Sequence, residues 1–419
     1  MGYTITEKIL MRKAGLSHVE PGDIVIVEPD MVMSHDNTAF IIKKFQKTEV
    51  KEVWDKEKIV IIFDHCVPAL KEEHSINHTE ATNFSRENNI KHYYGADAGV
   101  SHQVMIEKGL AKPGNLVMGA DSHSTIYGAI GALGIPINRT EMAGIWATGK
   151  IWLKVPQTIR INLTGKLRKG VYSKDIILKL LAILGASGAA YMSIEFTGET
   201  VKQMSISERL TLGNMAVELG AKAGICEYDE KTAIYLKDKI HSGFSPVFAD
   251  KDANYKKIIH IDVSRLKPQV ACPHTVDNVH PIDAKKGIKI TQGYLGSCTN
   301  GRIEDLRAAA QILKNRDLKI PLYVYPASKE ILKEAAQEGI IKILEDAGAK
   351  IMSASCGPCF GVVGPTLKEG ESCISSSNRN FCGRMGSSES FVYLASPATV
   401  AATCLKGEIT DPGRYVNEN

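Results

Sequence analysis

Cys356-Gly357-Pro358-Cys359 is the sharpest chemical signal in the sequence. Two thiols at this spacing suit a shared metal ion or cluster. A redox dithiol is the first rival, and it needs the pair at a helix N-terminus. Gly361, Gly364 and Pro365 follow closely and weigh against such a helix. Zinc needs a fourth ligand, and the sequence holds no second Cys-x-x-Cys. A buried structural pair is the remaining alternative. Cys298, in Gly296-Ser297-Cys298-Thr299-Asn300-Gly301-Arg302, adds a third candidate thiolate. Three thiolates on a four-iron cluster leave one iron without a protein ligand, an open position of the kind Lewis-acid catalysis requires.

Acid–base partners are also present. Asp64-His65 and Asp121-Ser122-His123 place carboxylate and imidazole close together in sequence. A carboxylate beside an imidazole fixes its tautomer and raises its pKa, which favours a proton donor. Asn214 and Glu218 lie four apart on one predicted helix, so they share a face. Asn378-Arg379-Asn380-Phe381-Cys382-Gly383-Arg384 concentrates two arginines in a polar loop, and arginine pairs bidentately with carboxylates. Each feature also has a plain reading as a surface ion pair or a core hydrogen bond. His102, in Ser101-His102-Gln103, is uninformative by itself.

These residues need elements to hold them. Predicted strands are Ile24–Val27, Ile59–Phe63, Leu116–Ala120, Ile159–Leu163, Ile258–Ile261, Ile288–Tyr294, Leu322–Tyr325 and Lys350–Ser353. Several are continuous apolar runs, as in buried parallel strands. Between them lie helical patterns. One has Ser173 as its N-cap and stops at Gly185. Another opens on the capping box Ser205-x-x-Glu208 and runs to Gly220. Others cover Ile303–Lys314 and follow Ser328. The alternation predicts an α/β fold with parallel sheets. Asp64-His65, Asp121-Ser122-His123, Cys298 and Cys356–Cys359 each follow a predicted strand, where open α/β sheets bind ligands. Gly128, Gly131 and Gly134 match no phosphate-binding pattern and read as close packing.

With 419 residues, two to four domains are expected. The predicted divisions are 1–157, 158–268 and 269–419. The net charge is only +4, which excludes a strongly basic nucleic-acid binder on bulk electrostatics. The longest apolar stretch, Ile176 to Met192, is broken by Lys179 and glycines and is too short to span a membrane. The N-terminus lacks a signal-peptide core, so the cytoplasm is the expected location. Nine cysteines in such a chain are not expected to form a disulfide framework.

Taken together, Ser297–Arg302, Cys356–Cys359 and Asn378–Phe381 resemble the signatures of the aconitase superfamily, and they occur in its order. The closer likeness is to the large subunits of its two-chain members: 3-isopropylmalate dehydratase, homoaconitase and dimethylmalate dehydratase. It runs from about Asp36 to Pro412. The resemblance implies three α/β/α-layered domains around a cleft, with a [4Fe–4S] cluster held by Cys298, Cys356 and Cys359 and one iron left open. It implies that Asp64 and His65 protonate a departing hydroxyl, that Asp121 partners His102, and that Glu218 partners His123. Asn214 and Asn378 would hydrogen-bond the cluster region. Arg379 and Arg384 would bind substrate carboxylates, with His35 and Ser122 lining the same site. The implied activity is a hydro-lyase acting on a 2-hydroxy di- or tricarboxylate, with 3-isopropylmalate and leucine biosynthesis the leading reading. A homoaconitate hydratase, a dimethylmalate dehydratase, or a non-catalytic iron-sensing or RNA-binding relative are the alternatives. The family's catalytic base is a serine on a swivelling domain. No such segment follows the cluster region in the sequence, so a small partner subunit is expected to supply it.

Overall fold

The structure is a computed structural model and describes residues 2–416. Three sheets dominate it, each drawn from a different stretch of chain. The first has five strands, all parallel, in the spatial order His92–Tyr94, Ile59–Ile62, Met31–Ser34, Leu116–Gly119, Leu133–Pro136. Its inner strands are buried on both faces. Ile59 and Ile61 enter a core with Phe45, Phe84 and Trp146, while Val60 and Ile62 enter another with Val104, Ile126 and Leu210. A period of two with both phases apolar explains the continuous hydrophobic run.

The second sheet has four parallel strands in the order Ala223–Cys226, Ser193–Thr197, Thr158–Thr164, Lys257–Asp262. The third has seven, ordered Val279–Pro281, Gln269–Ala271, Phe391–Leu394, Ser372–Ser375, Gln292–Leu295, Leu322–Val324, Lys350–Ile351. Its last five run parallel, whereas Gln269–Ala271 is antiparallel to both neighbours.

Some details differ from the sequence reading. Ile24–Val27 is a strand, but it pairs antiparallel with Ile151–Lys154 in a two-stranded ribbon, and Ile24 and Ile26 face solvent. The strand predicted over Ile288–Tyr294 is confined to Gln292–Leu295. Ser173 is the first helical residue of Ser173–Leu184 rather than its cap. The first turn is closed by Asp175, which accepts the Tyr172 N–H at 2.8 Å. The Ser205/Glu208 capping box is formed, and the helix Ile206–Met215 tightens into a 3₁₀ turn, Ala216–Leu219, that ends at Gly220 with φ 83°. Gly128 packs as expected: a Cβ there would lie 2.0 Å from the carbonyl oxygen of Gly224. Among the described residues, no helix is long and apolar enough to cross a membrane.

Candidate active site

Loops from the third sheet carry the thiols. After Gln292–Leu295 the chain turns through Gly296 and Ser297, whose φ of 76° is left-handed, and presents Cys298. Beyond Lys350–Ile351, Cys356 precedes a single 3₁₀ turn, Gly357–Phe360, which contains Cys359 and stops at Gly361. Gly357 has φ 51°, and a Cβ on it would sit 2.6 Å from the Tyr325 ring. Tyr294 Oη donates to the Cys356 carbonyl at 2.9 Å and pins the turn from below. Asn378, reached from Ser372–Ser375, donates from Nδ2 to Cys298 Sγ at 3.4 Å. Its Oδ1 lies 3.8 Å from Cys359 Sγ, and Arg384 Nη2 lies 3.7 Å from that same sulfur. All three cysteines are buried and free. Burial pushes the Cys298 and Cys356 thiols up, and the nearby Asp121 and Asp64 carboxylates add to it.

The opposite wall comes from the first sheet. Asp36, just past Met31–Ser34, accepts the backbone N–H groups of Asp64, His65 and Cys66 at 2.9, 2.7 and 3.0 Å. His78 Nε2 meets its other side at 2.7 Å. Burial alone would raise this carboxyl. The His35 and His78 rings and the charge of His65 outweigh it and hold Asp36 well below the usual range. The anchored turn aims Asp64 Oδ1 at His65 Nδ1, 2.6 Å away, while Asp64 Oδ2 accepts the Ser101 N–H at 2.7 Å. Burial draws the His65 pKa down, but Asp64, Asp121 and Asp36 overcome it and raise it to about 10. The His35 ring stacks on His65 with centroids 4.1 Å apart.

Asp121 caps the 3₁₀ segment Ser122–Ile130 and meets His102 Nε2 at 2.7 Å; Tyr127 Oη lies 2.9 Å from the other ring nitrogen, Nδ1. His123 Nε2 meets Glu218 Oε1 at 2.9 Å, and Arg379 Nε donates to the same oxygen at 2.8 Å. Burial and the Arg379 charge lower the His123 pKa against the pull of Glu218. Asn214 Oδ1 accepts from Thr299 Oγ1 at 2.7 Å, while its Nδ2 is buried without a partner. The Arg384 guanidinium lies between Phe360 and Phe381, with Nε also unpartnered.

These groups surround one cavity of about 690 Å³. The three cysteines, His35, Asp64, His65, His102, Asp121, Ser122, His123, Asn378, Arg379 and Arg384 all line it. Asn214 and Glu218 stand one layer behind, against Thr299 and against His123 and Arg379. Sequence reasoning did not find His78 as the support of Asp36, nor Tyr325 beneath Gly357. No local pattern marks either residue, because each acts only through long-range packing.

The donor set discriminates among metals. Three soft sulfurs in one pocket suit iron–sulfur chemistry and not a hard cation. Asn378 and Arg384 N–H groups already point at two of the sulfurs, and Asn214 Nδ2 and Arg384 Nε are buried donors awaiting an acceptor. A reactive dithiol requires a lowered thiol pKa, the reverse of what burial imposes on Cys356. His35, Asp36, Asp64 and His65 also offer ligand atoms within 4.8 Å of one another. Asp36 is spent there on three backbone N–H groups and His78, so this set is a hydrogen-bonded support.

Comparison with known proteins agrees with this chemistry. The family model described as the aconitase family (aconitate hydratase) matches residues 7–407. The chain is 48% identical to 3-isopropylmalate dehydratase large subunit 1 of Methanopyrus kandleri, over 99% of this chain and 100% of that one. It is 45% identical to a probable methanogen homoaconitase large subunit of Methanosarcina mazei, over 93% and 99%. A 3-isopropylmalate dehydratase large subunit of Hydrogenobaculum is 43% identical over 100% and 99%. In fold, the chain resembles aconitase X of Thermococcus kodakaraensis, with TM-score 0.52, 13% identity and 89% of each chain covered.

Proposed function

The chain belongs to the aconitase family, and from that premise we propose that it is the cluster-bearing large subunit of a hydro-lyase. Its substrate is a small 2-hydroxy di- or tricarboxylate, with 3-isopropylmalate first and its place in leucine biosynthesis. One observation carries the reading: Cys298, Cys356 and Cys359 share a cavity with the Asp64–His65 pair and Arg384. The relatives named 3-isopropylmalate dehydratase large subunit support the choice of substrate.

Cys298, Cys356 and Cys359 would hold a [4Fe–4S] cluster, which supplies a Lewis acid for the substrate's hydroxyl and carboxylate. The chain's own residues do the rest. His65, with Nδ1 tied to Asp64, carries its mobile proton on Nε2 and gives it to the departing hydroxyl, which leaves as water. Asp121 and Glu218 fix the ring orientations of His102 and His123. Arg379 and Arg384 bind substrate carboxylates and oppose the charge that builds on them. Ser122 and His35 shape the wall on the His65 side. The proton on carbon goes to a base on a small partner subunit, a partner suggested by the relatives' names. Cytoplasmic location and division into 1–157, 158–268 and 269–419 complete the proposal.

The M. mazei relative named homoaconitase keeps homoaconitate as a second substrate candidate. The test is anaerobic reconstitution with iron and sulfide, alone and with a co-expressed small subunit, followed by assay on 3-isopropylmalate, homoaconitate and 2,3-dimethylmalate. Wild type should take up iron and sulfide that Cys356→Ser does not, and turn over only with the partner. Equal iron in both proteins defeats the proposal.

A further inference from the structure

Lys174 has no place in the chemistry above, yet it is among the most buried side chains of the protein, at 0% exposure. It is the second residue of the helix Ser173–Leu184. Both acceptors it meets are main-chain carbonyls, those of Ser376, at 2.8 Å, and Ser377. The next two residues are Asn378, which donates to Cys298 Sγ, and Arg379, which donates to Glu218. The helix is itself locked to the third sheet. Asp175 accepts the backbone N–H of Gln269 at 2.7 Å, and Tyr172 N–H closes on its other oxygen. Lys174 is therefore a rigid post under the loop that carries both residues.

Both carbonyls are neutral, and burial draws the Lys174 pKa down to about 7, so the side chain acts here as a hydrogen-bond donor.

We propose that Lys174 is a positioning residue for the site: it tethers Ser376 and Ser377 so that Asn378 is aimed at Cys298 and Arg379 at Glu218. Its effect on metal binding rests on the proposed role of Cys298, Cys356 and Cys359; the tether itself does not.

The experiment uses the full-length apo chain and Co(II) as probe, followed by its thiolate charge-transfer absorption. Lys174→Met removes the tether. Lys174→Gln keeps one donor group, and it keeps the test readable if the methionine variant folds poorly. Both neutral variants should bind Co(II) about 10- to 100-fold more weakly than wild type, the range seen when groups that support metal ligands are lost. Lys174→Arg should restore much of the affinity. Hydrogen exchange at residues 376–379 should rise in Lys174→Met and rise less in Lys174→Gln. Wild-type Co(II) affinity in both neutral variants, or unchanged exchange at 376–379 in Lys174→Met, overturns the proposal. If Cys356→Ser binds Co(II) as tightly as wild type, the cluster reading fails instead, and the exchange result still decides the tether.

Discussion

His65 sits where two opposing effects meet, and their balance sets its use. Burial favours the neutral ring, but three carboxylates raise its pKa to about 10. A folded-state pKa above the ordinary 6.5 gives stability that is fully present below about 6.5 and is lost as pH rises through about 10. The same range keeps the ring protonated as a donor, so turnover should fall on the alkaline side near pH 10. Asp64→Asn removes the nearest charge and hydrogen bond. Its alkaline limb should move to lower pH in a rate–pH profile of the partnered enzyme, and an unmoved limb would separate that limb from His65. His65→Ala should lower kcat by roughly 10²- to 10⁴-fold with iron content unchanged, as for loss of a general acid. The Asp64-His65 pair was legible because its members are adjacent in sequence. The three N–H groups on Asp36 and the ring of His78 were not. They exist only once the helix Glu72–Glu87 has packed beside the turn after Ile59–Ile62.

At the scale of elements, strand composition told part of the story. Ile59–Ile62 and Leu116–Gly119 are buried on both faces, and an unbroken apolar run is what that demands. Ile24–Val27 has the same composition but belongs to a half-exposed ribbon, and four residues are too few to distinguish the two environments. Leu133–Pro136 escaped notice because Gly134 and Pro136 interrupt it. It is the edge strand of its sheet, where a missing N–H costs nothing. The turn Gly357–Phe360 was legible as a ligand loop but not as a fitted one. Gly357→Ala should cost about 1–3 kcal/mol for a side chain at left-handed φ, before any movement of the Tyr325 ring. Iron uptake should fall with it as Cys356 and Cys359 shift. Adding Tyr325→Leu to Gly357→Ala should recover part of the thermal stability. No recovery would mean that the backbone strain alone sets the loss.

At the scale of the molecule, Glu218 is where three stretches of chain meet. It lies on the 3₁₀ turn after Ile206–Met215, holds His123 from the first sheet's loops, and receives Arg379 from a loop of the third sheet. Asp36 orders one wall and Tyr325 the other, but Glu218 touches both, which makes it a sensitive probe of how the walls are joined. Glu218→Gln keeps the shape and removes the charge. Arg379 then loses its ion-pair partner in a setting where its side chain is only 25% exposed. Breaking a buried hydrogen-bonded pair of this kind costs about 2 kcal/mol at the low end, the appropriate end for a partly exposed arginine. The Glu218 carboxyl is held below its ordinary value by His123 and Arg379 against the opposing effect of burial. Its contribution is therefore present above about pH 4.5 and lost as pH falls through the lowered value. Denaturant unfolding at pH 7 should show the loss, and the gap between wild type and Glu218→Gln should close as the pH is taken toward and below the lowered value. A gap that persists unchanged under acid would assign the effect to packing. In the partnered enzyme the same substitution frees Arg379 to swing, so KM for the carboxylate substrate should rise more than kcat falls. A fall in kcat alone would place Arg379 outside substrate binding and return it to a purely structural tie between the walls.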